Sequence, residues 1–446
     1  MKAAVCITTR IIRNAIPNWT ASTRWSGNLI LTEDGQMELK KLMDPAICGI
    51  VEQLQQAGYE AYIVGGAVRD LLLDRSPKDY DLSTSATPEE IRKVFRDRRT
   101  LIIGKRFQLV HLFLHGDIIE ISTFRKRPQP QQELHKPGRE VPENLIVRDN
   151  EFGTAQEDAW RRDFTVNALF YDPVADKILD YTGMGLKDIE NGCIRSIGDP
   201  ALRFEEDPVR ILRAIKLAGQ YGFTFEPETG NAVRSCMDFI DVVSVSRLTL
   251  ELEKILKNPY GHRILKAFRE YGFLKKFLPY VDARWETPQG KYMLALLEER
   301  NRRMRSGLYR DSISLAMSIC TLPFAEEVIG GNPPGGLWDQ QAEIHDRMWD
   351  LLHAVLAPAA LTRRACSAAV RTLLIQDRIK KGQLKKLSSH PGYPHGRELA
   401  IIQNNVNWHI ETLEESLVEP DPDLVKRSSG GRRRSRKPKN RPAQNT

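Results

Sequence analysis

The sequence predicts an α+β fold, a mixed sheet with helices, followed by a region that is almost wholly α-helical. Three observations carry this. Short apolar runs at strand length recur between residues 59 and 197, bounded by Gly, Pro, Asn and Asp. Thr87-Pro88-Glu89-Glu90 is a capping box with proline at the first helical position, so helices are interleaved with those strands. From Val242 to about His409 the apolar residues return at helical spacing, as in Leu248, Leu252, Ile255 and Leu256.

At 446 residues the chain has room for roughly two to four domains, each with its own core. With 41% hydrophobic and 28% charged residues, its composition is that of a soluble globular protein. No apolar run approaches the roughly 18–20 residues of a membrane span. Charge is uneven. Between Lys426 and Thr446 stand nine Lys or Arg and no acid, more than the whole formal charge of +8, so the rest of the chain is one unit negative. Such a tail predicts a polyanionic partner, RNA or DNA foremost. Six scattered cysteines show no C-x-x-C or His/Cys metal spacing, which fits buried thiols in a reducing cytoplasm. The first 32 residues carry Lys2, Arg10, Arg13 and Arg24 without an acid. They read as a disordered leader, with an organelle transit peptide as the other reading.

Folded sequence is expected from about Met43. Ile47, Val51, Leu54 and Ala57 recur at helical spacing until Gly58 closes the helix. Tyr59 to Val64 reads as a strand running into Gly65-Gly66, where missing side chains let the backbone pass close to a ligand. Val68 to Leu73 reads as a helix whose first turn offers free N–H groups to a phosphate, with Arg69 adding a charge-assisted contact. After the turn Arg75-Ser76-Pro77, Asp79 and Asp81 stand two apart on an expected strand, so both carboxylates point one way. Such a pair can hold two divalent ions, one activating a hydroxyl and one neutralising a triphosphate, which suits nucleotidyl transfer. A chance Asp-x-Asp on a solvated loop is the blander reading.

Beyond the capping-box helix, Leu101 to Ile103 and Phe107 to Leu114 read as strands separated by Gly104-Lys105-Arg106. Ile118 to Phe124 is another, and Glu120 within it faces either solvent or the carboxylate pair. Residues 125–150 are polar and proline-rich, and read as a mobile loop. If Glu157 to Ala168 is helical, Asp163 and Asn167 share a face at i and i+4, flanked by Arg162. That trio suits a nucleotide's ribose and phosphates, or equally a surface salt-bridge cluster. Phe170-Tyr171 and Ile178 to Tyr181 read as a strand pair, followed by Cys193 to Ile197. Glu205 to Gln220 is expected as one helix, with Ile211, Leu212, Ile215 and Ala218 on its apolar face. Glu206, Arg210 and Arg213 line the opposite face with Asp207 beside them. This acid–arginine stripe offers partners to a base edge, or is a solvated face of ion pairs. In the helical half no ligands or nucleophiles cluster, and Trp338, Trp349 and Trp408 are expected in the core. The tail from Lys426 to Arg441 is too charged to fold alone.

Three stretches in this order, GGAVRD with KDYDLST, EDAWRRDFTVNALFYD and RFEEDPVRILRAIKLA, resemble the family of bacterial poly(A) polymerases and tRNA CCA-adding nucleotidyltransferases. The match covers about residues 45 to 220; the remainder agrees only in helical character and length. The resemblance implies a leader over 1–42, a polymerase-β-like nucleotidyltransferase head over 43–170 and a nucleotide-selecting neck over 171–240. A helical RNA-binding body over 241–420 and a basic tail over 421–446 complete it. It further implies that Asp79 and Asp81 ligate Mg2+, or Mn2+, with Asp163 counted among the active-site carboxylates. Gly65, Gly66 and Arg69 would meet the triphosphate, Arg162, Asp163 and Asn167 would hold the nucleotide, and Glu206, Asp207, Arg210 and Arg213 would read the base. ATP would be the substrate and RNA 3′ ends the acceptor, whether messenger, decay intermediate or tRNA, with RNA-decay proteins as candidate partners.

The block Leu101 to Phe107 with Leu109 and His111 looks like the poly(A) polymerase branch, and so does the tail with Arg432, Arg433, Arg434, Arg436 and Lys437. Lys105 and Arg106 join these as RNA contacts. The lead-in departs from that branch, lacking its Ile-Ser-Arg stretch. Template-independent AMP addition is therefore the expectation, with CCA- or A-addition to tRNA as the alternative. A noncatalytic RNA-binding adaptor is the alternative from another class, and the intact Asp79/Asp81 pair argues against it. A Rossmann-type site lacks its G-x-G-x-x-G spacing here.

Overall fold

In the computed structural model residues 39–104, 108–114, 116–127, 151–309, 312–325, 329, 337–382, 387–407 and 417 are described. They divide into two compact units between Val243 and Ser244.

The first unit begins with α1 (Pro45–Gln56), started by the Asp44 carboxylate, which accepts from the Ala46 N–H at 2.8 Å. Then come β1 (Ala61–Val64), α2 (Gly66–Leu72), β2 (Asp81–Thr84), α3 (Pro88–Val94), β3 (Thr100–Ile103), β4 (Leu109–Leu114) and β5 (Asp117–Thr123). The sheet is completed, after α4 (Ala155–Trp160), by β6 (Leu169–Asp172) and β7 (Lys177–Asp180). Its seven strands lie in the order β3-β4-β5-β2-β1-β6-β7, and only the β2–β5 pair is parallel. This is the mixed sheet with helices that the sequence predicts. The capping box forms in both directions, Thr87 to the Glu90 N–H and Glu90 to the Thr87 N–H.

Around the centre of the sheet, Val64, Phe124, Ala155, Ala159, Ala168, Phe170 and Ile197 are buried together. Tyr62 meets Phe124 and Phe170 at centroid distances of 6.0 Å each. Each buried phenyl contributes about 2–3 kcal/mol. The anchor strand is β1, and the Gly65-Gly66 turn leaves directly from it.

Two expected helices are corrected. The block from Glu157 stays helical only to Trp160: Thr154 and Glu157 form a second capping box that fixes the start of α4, and Arg161 caps its end. Arg161 to Asp163 then leave the helix, and Thr165–Asn167 makes a single 3₁₀ turn. The helix expected over Glu205 to Gln220 is two. After α5 (Gly185–Glu190) and the short β8 (Cys193–Ile194), α6 (Pro200–Glu206) ends and α7 (Val209–Tyr221) begins. Pro208 has no N–H to donate and forces Asp207 out of helical geometry, to φ −148° and ψ 92°. β9 (Thr224–Phe225) pairs in parallel with β8, and α8 (Pro227–Ser235) follows.

The second unit is helical throughout its described elements, from α9 (Val245–Leu256) and α10 (Gly261–Glu270) through α11 (Leu274–Phe277) and α12 (Pro279–Ala283) to α13 (Pro288–Arg305) and α14 (Ile313–Thr321). α15 (Ala342–Leu356), α16 (Arg363–Leu374), α17 (Gln376–Lys380) and α18 (Tyr393–Asn407) complete it. The tryptophans correct the expectation of core positions. Trp349 is half-exposed between the rings of His345 and His353, and Trp338 lines a cavity of about 760 Å³ with Tyr292, Gln289, Gln403 and Asn407. Trp408 lies outside the described residues. No described helix is long and apolar enough to cross a membrane.

Candidate active site

Register places the first carboxylate. Asp81 opens β2 opposite Val64, the last residue of β1, so it stands beside the Gly65-Gly66 turn. On its other side Asp81 is in register with Glu120 of β5, and Glu120 with His111 of β4. In-register neighbours share a face of a sheet, so the three side chains form one row across three strands. Glu120 Oε1 lies 3.3 Å from His111 Nε2. Asp79 is not on the strand: it precedes it by two residues, in the connection from α2, and both aspartates are exposed. Their oxygens suit a hard divalent cation. Among the described residues no three such side chains cage a metal by themselves, so an ion at Asp79 and Asp81 would complete its shell with phosphate and water, as magnesium favours.

The turn itself demands glycine. Gly65 has φ +71°, and a Cβ there would lie 2.9 Å from Arg162 Nη1 and 3.4 Å from the Asn167 carbonyl oxygen. Its N–H donates to the Leu169 carbonyl at 3.0 Å. The turn is therefore seated on the segment that carries Arg162, Asp163 and Asn167.

That segment is a hydrogen-bonded chain. Asp163 Oδ1 accepts from the Phe164 N–H at 2.9 Å and from Asn167 Nδ2 at 3.0 Å. The i, i+4 pair thus meets across a 3₁₀ turn and not along an α-helix. Asn167 Oδ1 in turn accepts from Arg69 Nη1. Arg69 is buried, donates to Asp70 Oδ1 at 2.8 Å and to the Tyr221 hydroxyl at 2.6 Å, and lies 4.5 Å from the Tyr221 ring centre. The structure shows it as an internal anchor, where the sequence placed it on a phosphate. Arg162 is held by Asp158 at 2.9 Å and reaches Ser83 Oγ at 3.3 Å. Burial alone would raise the Asp163 carboxyl, but Arg213, the Asn167 amide and Arg210 outweigh it and hold the group below its ordinary range. Burial likewise opposes Asp158, and Arg162 and Arg161 more than offset it.

The four residues of the acid–arginine stripe divide by exposure. Glu206 and Arg210 are buried, contrary to the solvent-facing stripe the spacing predicts. Glu206 accepts from Arg203 at 2.7 Å, from Arg210 at 3.2 Å and from Arg127. Burial works against its ionisation, while Arg127 and Arg203 pull its pKa below the usual value. Burial and the neighbouring Arg210 push the Arg203 guanidinium down to about 10, which still leaves it charged at neutral pH. Asp207 and Arg213 are half-buried, and Arg213 Nη1 lies 3.8 Å from Asp163 Oδ2. Asp207 stands just before α7, its Oδ1 accepting from the Val209 N–H at 3.3 Å, and Arg213 lies within that helix.

The structure brings together Asp81, Gly65, Gly66, Arg69, Arg162, Asp163, Asn167, Glu206, Asp207, Arg210 and Arg213 within one unit. Lys105, Arg106 and the tail residues Arg432, Arg433, Arg434, Arg436 and Lys437 lie outside the described residues. Sequence reasoning missed Tyr221, Asp158 and Arg203. Asp158 four before Arg162 and Arg203 three before Glu206 carried a helical-spacing signal; Tyr221 carried none, since it reads as one more apolar position.

Comparison with known proteins agrees with this architecture. Residues 61–195 match the family described as "Poly A polymerase head domain", and residues 222–284 match "Probable RNA and SrmB- binding site of polymerase A". The chain is 31% identical over 415 residues to poly(A) polymerase I of Escherichia coli O6:H1, covering 88% of each chain. It is 38% identical over 403 residues to a CCA-adding enzyme of Geobacillus sp., covering 83% of this chain and 95% of that one. The crystal structure of the Bacillus stearothermophilus CCA-adding enzyme in complex with CTP superposes with a TM-score of 0.53 at 25% identity, over 84% of this chain and 82% of the other. The chain therefore belongs to the nucleotidyltransferase family that comprises the bacterial poly(A) polymerases and the CCA-adding enzymes.

Proposed function

We propose that this protein is a template-independent poly(A) polymerase, adding AMP from ATP to RNA 3′ ends with release of pyrophosphate. The observation that carries the reading is Asp81 in the row Asp81–Glu120–His111, directly beside the glycine turn and the Arg162–Asn167 segment. Coverage of 88% of E. coli poly(A) polymerase I, together with the basic tail, supports poly(A) addition.

In this reading Gly65 and Gly66 let the triphosphate approach the backbone, and Arg162 and Asn167 orient sugar and phosphates. Asp207 and Arg213 present hydrogen-bonding groups to the base edge, backed by the buried Glu206 and Arg210. The RNA 3′-hydroxyl attacks the α-phosphate in line and pyrophosphate leaves, with no covalent enzyme intermediate. Magnesium or manganese at Asp79 and Asp81, when bound, would supply charge neutralisation and a lowered hydroxyl pKa. A head over 43–170, a neck over 171–240, an RNA-binding body over 241–420 and a cytoplasmic setting with RNA-decay proteins belong to the same proposal.

The 38% identity to the Geobacillus enzyme favours CCA- or A-addition as the second reading. Purified protein with magnesium, offered ATP, CTP or both on an unstructured RNA and on tRNAs ending before CCA or in CC, separates them. Long ladders from ATP on unstructured RNA are expected. One to three additions confined to tRNA would establish the second reading instead.

A further inference from the structure

Arg203 has no part in the roles assigned above, yet it is only 1% exposed. Its two terminal nitrogens serve different segments. Nη1 donates to Glu206 Oε2 at 2.7 Å, within the neck. Nη2 donates to the carbonyls of Arg161 at 2.5 Å and Arg162 at 2.7 Å, on the segment leading into Asp163. The bridge is braced, because Arg210 Nη1 donates both to Glu206 Oε2 and to the Arg203 carbonyl, each at 3.2 Å. Arg203 Nε is buried and finds no acceptor among the described residues.

A guanidinium is a rigid planar fork. Joining two loop carbonyls to one carboxylate through it fixes a distance and an angle, which a lysine ammonium cannot reproduce. The segments it joins are those that converge again where Asp163 and Arg213 lie 3.8 Å apart. Discrimination between bases depends on that spacing. A wrong base leaves polar groups unsatisfied only when the reading edge is held at a set distance from the sugar.

We propose that Arg203 is a specificity-determining positioning residue, whose guanidinium sets the spacing between the segment Arg161–Asp163 and the neck residues Glu206, Asp207 and Arg210. It touches no substrate. The proposal rests on the nucleotide-site reading given under Proposed function. Loosening the bridge lets the two segments shift, so ATP and CTP become more nearly equivalent while the reacting groups at Asp81 stay in place.

The test compares the full-length chain with Arg203→Lys and with Arg127→Ala, whose half-exposed side chain supports Glu206 from the other side. ATP and CTP are each offered alone on unstructured RNA, their dissociation constants are measured by calorimetry, and folding is followed by circular dichroism. For Arg203→Lys the ATP-over-CTP preference in kcat/KM and in Kd should fall about tenfold, mainly through the KM for ATP, with kcat for ATP within about threefold. Arg127→Ala should move the preference the same way by a smaller factor. An unchanged preference in both variants, or parallel loss with both nucleotides, overturns the proposal. If Arg203→Lys does not fold, Arg203→Gln is judged by the same criterion. A native protein that adds no nucleotide refutes the polymerase reading, while the calorimetric preference still judges Arg203.

Discussion

The two units bury ionisable groups in different ways. In the first, the buried charges stand where the chain reverses or a helix ends. Arg69 joins α2 to Asn167 and Tyr221, Asp158 gathers Arg161 and Arg162, and Arg203, Glu206 and Arg210 tie α6 to the segment before Asp163. In the second, they close helix against helix. Arg303 of α13 is paired with Glu398 of α18 at 2.6 Å, His262 shares a hydrogen bond with Asn301 at 2.8 Å, and His395 with Ser312 at 2.7 Å. Burying charge is costly, and an ion pair rarely repays it better than packed apolar side chains would. The first unit keeps its charges beside the residues proposed to meet a polyanionic substrate, where fixed geometry is useful. Among the described residues of the second, Arg303–Glu398 is the ion pair with both partners buried, and burial favours the neutral form of His262 and His395.

The largest effect should come from Asp81→Ala. The side chain is exposed, so the fold should persist and RNA should still bind, while nucleotide addition falls by more than about 10³-fold. Retained activity would remove Asp81 from the reaction. In the second unit Glu398→Ala removes the buried carboxylate paired with Arg303 and should cost about 3–5 kcal/mol in urea unfolding. A loss below about 1 kcal/mol would show that the pair is solvated, weakening the contrast between the units.

Gly65→Ala sharpens the first half of the comparison. The added methyl meets Arg162 Nη1 at a residue with φ +71°, and about 1–3 kcal/mol of stability should be lost together with nucleotide affinity. Wild-type affinity for ATP in this variant would show that the turn is not the phosphate seat.

Acid should separate the units. Burial pushes His262 down to about 3 and His395 to about 4; Glu298 lies 3.8 Å from His262 but is largely exposed and screened by water. The unfolded chain therefore takes up these protons first, and stability falls as the pH drops below about 6.5, by about 1.4 kcal/mol per pH unit for each histidine until its folded value is reached. Asp158, Asp163 and Glu206 have lowered folded values, so their contribution persists above the ordinary carboxylate range and is lost only below about pH 4. Two calorimetric transitions should diverge between pH 7 and 5, and His262→Asn with His395→Asn should shrink the divergence to the part due to His390, which burial also lowers. Coincident transitions across that range would contradict it. The smallest effect is kinetic: removing residues 426–446 should weaken RNA binding and flatten its salt dependence, with kcat for ATP at saturating RNA within about twofold. An unchanged salt slope would make the tail a bystander.

Much of the first unit was legible because it rests on local rules. Thr87-Pro88 starts a helix through a side-chain cap and a preset φ, and the strand into Gly65-Gly66 follows from apolar content broken by a residue free to adopt positive φ. Where reading failed, a second local rule had been underweighted. Pro208 split the expected neck helix, and the Thr154/Glu157 box set the start of α4, which ends at Trp160, so that Asp163 and Asn167 meet through a turn beyond it. Arg210 was misplaced for a different reason. Helical periodicity sorts residues by polarity, and a buried arginine looks solvent-facing until its partners Glu206 and the Arg203 carbonyl are known.

The sequence alone determined the strand into the glycine turn, the capping-box helix after β2 and the helical second half, because each depends on neighbours within a few residues. Only the tertiary structure decided that Asp81 stands beside Val64 and Glu120, that Arg69 turns inward, and that Arg203 spans two segments. Those contacts join residues 98 and 152 positions apart for Arg69, and 41 and 42 for Arg203. Packing and register bring such residues together, and neither is written in local periodicity.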